Sequence, residues 1–347
     1  MLAITRLSGG RQALGYAHGE AHGAAIQASL EVYARLFHDF AGLDWPQARR
    51  DALALLPAIE TRFPAILDEV DGIARGAGVE AEDILVLNCR SEIALTHAND
   101  GCSAFSLHHH GQQWLAQNWD WRGDQQANLV ALAIRGDDAP ALLSLGEAGM
   151  VAKIGLNEHG LGVCLNAIRS RTCGDGLPIH FALRHWLEGR DFDEALASLE
   201  RDGVASPAHF LVGGGEGRAL GLEVNPGPYG RLPSRDGLVT HTNHLCDPGL
   251  RARLADYPRP DSGPRLARLN ERLSPPPAAA DAEALFEILG DHQGYPYGLC
   301  RHPDPDQPEA ERMETLFGVV MNLSRRELWL RLGKPCQASS QHLSLAP

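Results

Sequence analysis

The sequence predicts an α+β fold, with layers of antiparallel sheet carrying helices on their outer faces. Two observations lead there. Over the first hundred positions apolar residues recur at three- and four-residue steps, and from Cys102 onward the period shortens to that of strands. The segments also come in blocks: helices, then strands, helices again, then strands. A doubly wound parallel sheet would instead alternate strand and helix along its whole length.

In chain order, "AHGAAIQASLEVYARLFHDF" and "WPQARRDALALLPAIETRFPAILDEVDGIARGAG" read as helices that bury one face. "EAEDILVLNCRSEIALTH" continues that character up to Asn99. Strands are expected over 102–109, 112–121, 128–134, 141–145, 150–155 and 161–167. Helices return at 178–188 and 191–201, the second with Asp191 as N-cap and Glu194 three residues on. Strands at 208–213 and 218–225 flank "GGGEG". This run is not a phosphate loop, because no Lys-Ser/Thr follows it and the next element is a strand. A strand at 237–243, helices near 264–273 and 281–290, and a hairpin over 315–332 complete the chain. "SPPPAAADA" (274–282) and "HPDPDQPEAE" (302–311) read as surface loops. There is no internal repeat, and no low-complexity stretch divides the chain.

Composition narrows the function. A chain of 347 residues can bury a large core. A formal charge of −13 gives no electrostatic reason to bind nucleic acid or an anionic membrane. No apolar run approaches the ~18 residues of a membrane span, and the first residues lack the basic start and apolar core of a signal peptide. A cytoplasmic protein with no nucleic-acid or membrane partner is expected. The seven cysteines are odd in number, scattered and without a CxxC pair, which fits neither a disulfide framework nor a zinc site of the usual spacing. Neighbouring strand residues point to opposite faces, so His108 to His110 read as a solvated hairpin end rather than a metal site. No cofactor and no metal are expected.

The chemistry concentrates in "NDGCSAF", residues 99–105, where a turn delivers a Cys to the first position of a strand. Buried Cys is usually inert, so the segment that follows decides. With a three-residue loop at His110, Gly111 and Gln112, Cys102 lies opposite Asp120, their Cβ atoms roughly 5 Å apart on one face. A two-residue loop sends Asp120 to the other face. A papain-like site would place its Cys at a helix N-terminus, whereas Cys102 opens a strand. The chemistry that remains uses the residue's own nitrogen. Cleavage of the Gly101–Cys102 bond would free an α-amine with a pKa of about 8, able to serve as general base to the thiol. On this reading Asp120 holds the ammonium, and Gly101, lacking a Cβ, lets the thiol reach its carbonyl.

"DGCSAF", then "AQNWDW" with its Asp eighteen residues after the Cys, then "GLNEHGLGVCLNAI" and "THTNH", resemble the acyl-coenzyme A:6-aminopenicillanate acyltransferase-like family. This is a branch of the N-terminal nucleophile hydrolases, related more distantly to choloylglycine hydrolases and penicillin V acylases. The resemblance spans about residues 85–270. It implies a four-layer αββα sandwich in which residues 1–101 form a helical fragment released by autocleavage and 102–347 a catalytic fragment, the two folded as one domain. It implies Cys102 as cleavage centre and acyl-accepting nucleophile, and Asp120 as the residue that orients the amine. Asn166 and Asn243 would supply oxyanion or amine contacts, and Arg265, in "DSGPRLARL", would support the substrate. Choloylglycine hydrolases usually carry Arg where Gln117 stands, which favours the acyltransferase-like branch and marks Gln117 as a substrate contact.

The activity expected is hydrolysis of a small linear amide through a Cys102 thioester, with acyl transfer to an amine as the alternative. Expected partners are a small amide or acyl donor and the protein's own cleaved N-terminal fragment, and a homo-oligomer is left open. A silent binding module of the same fold is the rival from another class. Loss of Asp120 or of the Gly-Cys junction would favour it, and both are present. A His-rich metal protein lacks ligand spacing. Asn157, in "LNEHG", reads as a turn residue.

Overall fold

A strand comes first. In the structure, a computed structural model describing residues 1–94 and 101–345, β1 (Ile4–Gly9) precedes all the helices. The helical reading of the first hundred residues missed it. β1 pairs in parallel with β4 (Leu129–Gly136), Ile4 opposite Ala131. Its partner is so remote in sequence that six residues of weak alternation gave no local cue.

Six helices follow: α1 (Arg11–Ala41), α2 (Trp45–Ala54), α3 (Leu56–Arg62), α4 (Ile66–Ala77), α5 (Ala81–Asn88) and α6 (Arg90–Ala94). Asp44 and Gln47 close a capping box at the start of α2. α1 and α4 pack through glycines. A Cβ at Gly15, Gly19, Gly72 or Gly76 would collide with the backbone of the opposing helix. The expected helix ran on to Asn99, but residues 95–100, including Asn99 and Asp100 of the turn, lie outside the described residues.

The strand block is β2 (Gly101–His109), β3 (Gln112–Trp121), β4, β5 (Leu142–Glu147), β6 (Ile154–Asn157) and β7 (Gly162–Ala167). Next come α7 (Ile179–Leu187) and α8 (Phe192–Asp202), and Asp191 caps α8 as expected by accepting from the Asp193 and Glu194 amides. Strands β8 (Ala208–Gly214), β9 (Arg218–Val224), β10 (Gly230–Pro233) and β11 (Leu238–His241) lead to α9 (Pro248–Arg251), α10 (Ser262–Arg272) and α11 (Ala282–Leu289). The last strands are β12 (Glu314–Asn322), β13 (Glu327–Leu332) and β14 (Gln341–Leu343).

Among the described residues the strands form two sheets. The eight-stranded one runs β1-β4-β5-β6-β7-β8-β9-β10 and the six-stranded one β11-β2-β3-β12-β13-β14. All pairs but β1–β4 are antiparallel. β2 and β3 face β7 and β8 across the middle; α1 and α7 cover the large sheet, and α10 and α11 the small one. The result is the αββα sandwich.

The parity of β2 and β3 shows how the layers divide. Cys102, Ala104, Leu115 and Trp119 join the core between the sheets, with Val163, Cys164 and Leu211. Phe105, Leu107, Trp114 and Ala116 join Leu285, Phe286 and Leu289 beneath the outer helices. Alternate side chains of one strand thus serve two cores.

The N-terminal segment is bound into this body by more than β1. Glu69 of α4 forms a buried, two-pronged ion pair with Arg184 of α7, both bonds 2.8 Å long, and Arg11 of α1 pairs with Glu188. No helix among the described residues is long and apolar enough to cross a membrane.

Candidate active site

The β2–β3 turn has two residues. His110 and Gly111 both take positive φ, 48° and 72°, as the tight turn that matches strand twist requires. His109 therefore pairs with Gln112, Cys102 with Trp119, and Gly101 with Asp120. This corrects the expected three-residue loop. Asp120 lies opposite Gly101, and its side chain is on the helix-facing side of the small sheet while the Cys102 side chain faces the large sheet.

The main chain of Cys102 is held on both sides. β11 pairs with β2 up to His241 opposite Ala104, and two residues further on Asn243 comes level with Cys102. Its Oδ1 accepts from the Cys102 amide at 2.8 Å and from Arg265 Nη2 at 2.9 Å, while its Nδ2 donates to the Ala167 carbonyl at 3.0 Å. Two donors on one side and an acceptor on the other fix the orientation of the amide. Arg265, buried on α10, donates from Nη1 to the Cys102 carbonyl at 2.5 Å and to Ser103 Oγ at 3.0 Å. It therefore grips the residue expected to be the nucleophile.

Asp120 is fully buried. Its Oδ1 accepts from Thr315 Oγ1 at 2.7 Å, and its Oδ2 lies 3.3 Å from Arg301 Nε. Burial pushes its pKa up, and the opposing pull of Arg301, Arg265 and Thr315 does not cancel that push. Asp261, at the start of α10, is different. Burial raises it too, but Arg265, Arg301 and Arg259 outweigh burial and hold its carboxyl below the ordinary range. Arg301 also binds Asp261 through Nη2, so one guanidinium bridges the two carboxylates. A Cβ on Gly101 would sit 2.8 Å from Asp120 Oδ2 and 3.4 Å from Arg301 Nε. Glycine stands there because the carboxylate and its counter-ion fill the space, not only to give the thiol access to its carbonyl.

On the other face, Cys102 lies near Cys164 of β7. Burial drives the Cys164 thiol well up, with Cys102 adding to the shift, which disfavours its thiolate. Asn166 follows on the same face of β7. Its Oδ1 is 2.9 Å from His209 Nδ1, and its buried Nδ2 has no hydrogen-bond partner among the described residues. A buried donor left open in this way is available to a water, a ligand or a reacting oxygen. Gln117, expected to touch substrate, bridges the sheets: its Nε2 donates to the Leu165 carbonyl and its Oε1 accepts from the Leu165 amide. With both ends of its buried amide engaged by main chain, it is a strut beneath Asn166. Asn157 accepts from the amides of His159 and Leu161, as its turn reading requires. His108 and His110 are exposed at the hairpin end.

A cleft of about 580 Å³ opens beside this cluster, with Arg259, Asp261, Arg265, Arg268 and Tyr297 among its lining residues. Through Arg265 it reaches the carbonyl side of Cys102. Its cations are paired with carboxylates, but unevenly: Arg259 and Arg265 share Asp261 with Arg301, whereas Arg268 binds both Asp291 and Glu271.

Sequence reasoning missed Arg301, Asp261 and Thr315. Asp261 had a cue, since it lies four residues before Arg265 in the quoted "DSGPRLARL". Arg301 and Thr315 reach Asp120 only through the pairing of β12 with β3, where Thr315 comes opposite Asp120.

Relatives share this architecture. The chain is 31% identical over 340 residues to the acyl-coenzyme A:6-aminopenicillanic-acid-acyltransferase 40 kDa form of Emericella nidulans, covering 96% of this chain and 93% of the relative. Among solved structures it is similar to a penicillin V acylase from Agrobacterium tumefaciens, with a TM-score of 0.50, 14% identity, and 70% and 86% of the two chains covered. It is also similar to a mutant conjugated bile acid hydrolase from Clostridium perfringens, with a TM-score of 0.50, 11% identity, and 70% and 96% covered. At such identities these two likenesses speak for the fold alone. Residues 107–337, which include Asp120, Asn166, Asn243, Arg265 and Arg301, match the family described as acyl-coenzyme A:6-aminopenicillanic acid acyl-transferase. With that match and the fungal relative together, the chain belongs to the acyl-coenzyme A:6-aminopenicillanic acid acyl-transferase family.

Proposed function

We propose that this enzyme cleaves itself between Gly101 and Cys102 and then hydrolyses a small linear amide through a thioester on Cys102. One observation carries the reading: the polar groups around Cys102 hold its backbone. Asn243 binds its nitrogen, Arg265 its carbonyl, and Asp120 with Arg301 packs against the preceding glycine. An enzyme that used only a thiol would have no need of that arrangement. One that turns the residue's nitrogen into its base does.

In the first step the Cys102 sulfur attacks the Gly101 carbonyl carbon. The C–N bond breaks, the nitrogen takes the thiol proton, and water then hydrolyses the thioester to leave Gly101 as a carboxylate. The freed amine occupies the place of the cut peptide, with the Asn243 oxygen as acceptor and the Asp120 carboxylate nearby. In turnover the amine takes the thiol proton, sulfur attacks the amide carbon, and the leaving amine receives the proton. Asn166 Nδ2 is the donor available to the developing oxyanion. Water closes the cycle.

Mass spectrometry of freshly purified protein tests this. Scaling 37.5 kDa by 101 and 246 residues gives fragments of roughly 11 and 27 kDa. Wild type should show both, and Cys102→Ala only the full chain, without activity. Active wild type that keeps its full mass would refute self-processing.

Acyl transfer to an amine is the second reading, favoured by the name of the fungal relative. Against it, the arginines of the cleft already make ion pairs with Asp261, Asp291 and Glu271, so an anionic donor would have to compete for them.

A further inference from the structure

Four side chains far apart in sequence converge behind Arg301. His292 follows α11, Cys300 and His302 flank Arg301 itself, and Cys336 lies in the turn after β13. Cys300 Sγ is 3.5 Å from Cys336 Sγ, and His302 Nε2 is 3.1 Å from His292 Nε2, 3.5 Å from Cys336 Sγ and 3.8 Å from Cys300 Sγ. All four donor atoms lie within 4.8 Å of one another.

Hydrogen bonding does not account for this. An imidazole nitrogen carries one proton or one lone pair, yet His302 Nε2 faces three heteroatoms at once. A cation at the centre would engage all four. Zinc bonds of ~2.3 Å to sulfur and ~2.0–2.1 Å to nitrogen, set tetrahedrally, give edges of about 3.8 Å between sulfurs, 3.3 Å between nitrogens and 3.5 Å for mixed pairs. The four spacings given above agree to within a few tenths of an ångström, and those from His292 to the two sulfurs are no longer than 4.8 Å.

We propose that His292, Cys300, His302 and Cys336 bind a zinc ion in a closed, four-ligand structural site. Two thiolates and two imidazoles are the donor set that selects such a metal over magnesium or calcium. Four protein ligands leave no open position for catalysis. The usual spacing rules miss the site because the ligands come from two remote segments.

The site has a task in this fold. The chain between α11 and β12 is mostly irregular, yet it must deliver Arg301 to Asp120. Main-chain bonds support it locally, from the Cys300 amide to the Asp291 carbonyl and from the His302 amide to the Pro296 carbonyl. Zinc would tie both neighbours of Arg301 to the turn after β13 and fix the guanidinium against the carboxylate. Arg301 thereby links the metal to the reaction centre without touching it.

Full-length protein without a polyhistidine tag, produced with added zinc and purified under reducing conditions, should carry zinc at near one equivalent by elemental mass spectrometry. His292→Gln, a surface change that leaves the core intact, should surrender zinc at lower concentrations of a competing chelator, and Cys336→Ser should carry little. Cobalt-loaded wild type should show the intense visible bands of a tetrahedral thiolate site, and Cys336→Ser should lose them. Protein that emerges metal-free, a Cys300–Cys336 disulfide in peptide maps, or zinc content unchanged in both variants would each overturn the proposal.

Discussion

Asp120 stands across the β2–β3 pair from Gly101, with its carboxylate where a side chain on residue 101 would have to go. The acid thus addresses the peptide before Cys102 rather than the thiol. Thr315 and Arg301 pin it, so it has little freedom to yield. Gly101→Ala should therefore displace the carboxylate, slow self-cleavage at least ~10-fold through misorientation and cost about 1–3 kcal/mol of stability by overpacking. Intact mass over time and thermal melts check both effects. Cleavage at the wild-type rate would show that this contact is incidental.

The two asparagines should separate by function. Asn243 presents its oxygen to the Cys102 nitrogen, whereas Asn166 holds a buried, unpartnered Nδ2. Asn166→Ala should leave self-cleavage measurable but lower turnover by ~100-fold, as loss of one oxyanion donor does. Asn243→Ala should impair cleavage itself, because both the Cys102 amide and Arg265 lose their acceptor. Fragment formation and steady-state rates in the two variants distinguish these outcomes. Near-normal turnover in Asn166→Ala would move the oxyanion hole elsewhere.

The strands that carry the site were legible in the sequence because alternation is a local signal: 102–109 and 112–121 were expected, and Gly101–His109 and Gln112–Trp121 are observed. The register was not legible. It turned on whether His110 takes a positive φ, which non-glycine residues seldom do, and that single residue moved Asp120 from one face to the other. Arg265 and Asn243 were found through motif resemblance, and both touch Cys102 in the structure. Arg301 and β1 were missed for a shared reason. Asp120 lies 181 residues before Arg301 and β4 more than a hundred residues after β1, and nothing in the neighbouring sequence encodes such a pairing.

The shifted pKa of Asp120 has a consequence for stability. A carboxyl raised on folding binds its proton more tightly in the folded chain than in the unfolded one. Between the ordinary Asp value and the raised one, the folded state therefore holds more protons, and stability falls as pH rises. In an uncleavable Cys102→Ala background, adding Asp120→Asn should remove that slope, with Asp261 still holding Arg301. In the cleavable enzyme the same Asp120→Asn change should strongly impair activity. Melting temperatures measured from acid to neutral pH should diverge between the two uncleavable proteins. Parallel curves would mean that Asp120 ionises freely.

The two fragments should remain associated after cleavage. β1 contributes a strand to the large sheet, and the Glu69–Arg184 pair crosses from the N-terminal segment into the rest of the protein. Removing one partner of a buried pair costs about 3–5 kcal/mol. Glu69→Gln should thus lower the denaturant concentration at which the fragments separate, while wild type co-elutes in size-exclusion chromatography. Separation of wild-type fragments in native buffer would contradict this account.

The acceptor remains the sharpest functional question. A thioester at Cys102 can be resolved by water or by an amine, and the choice depends on whether the site holds an amine while excluding water. The 580 Å³ cleft reaches the carbonyl side of Cys102 through Arg265, and its guanidiniums are already engaged in ion pairs with Asp261, Asp291 and Glu271. A charged second substrate would have to compete with those carboxylates for the arginines. Net hydrolysis should therefore dominate, with transfer growing only as amine concentration rises. The measurement is a partition experiment: one amide substrate, increasing competing amine, and free acid and new amide quantified together. If new amide dominates at low millimolar amine, the enzyme is a transferase, and the cleft must then hold an amine through contacts other than its arginines.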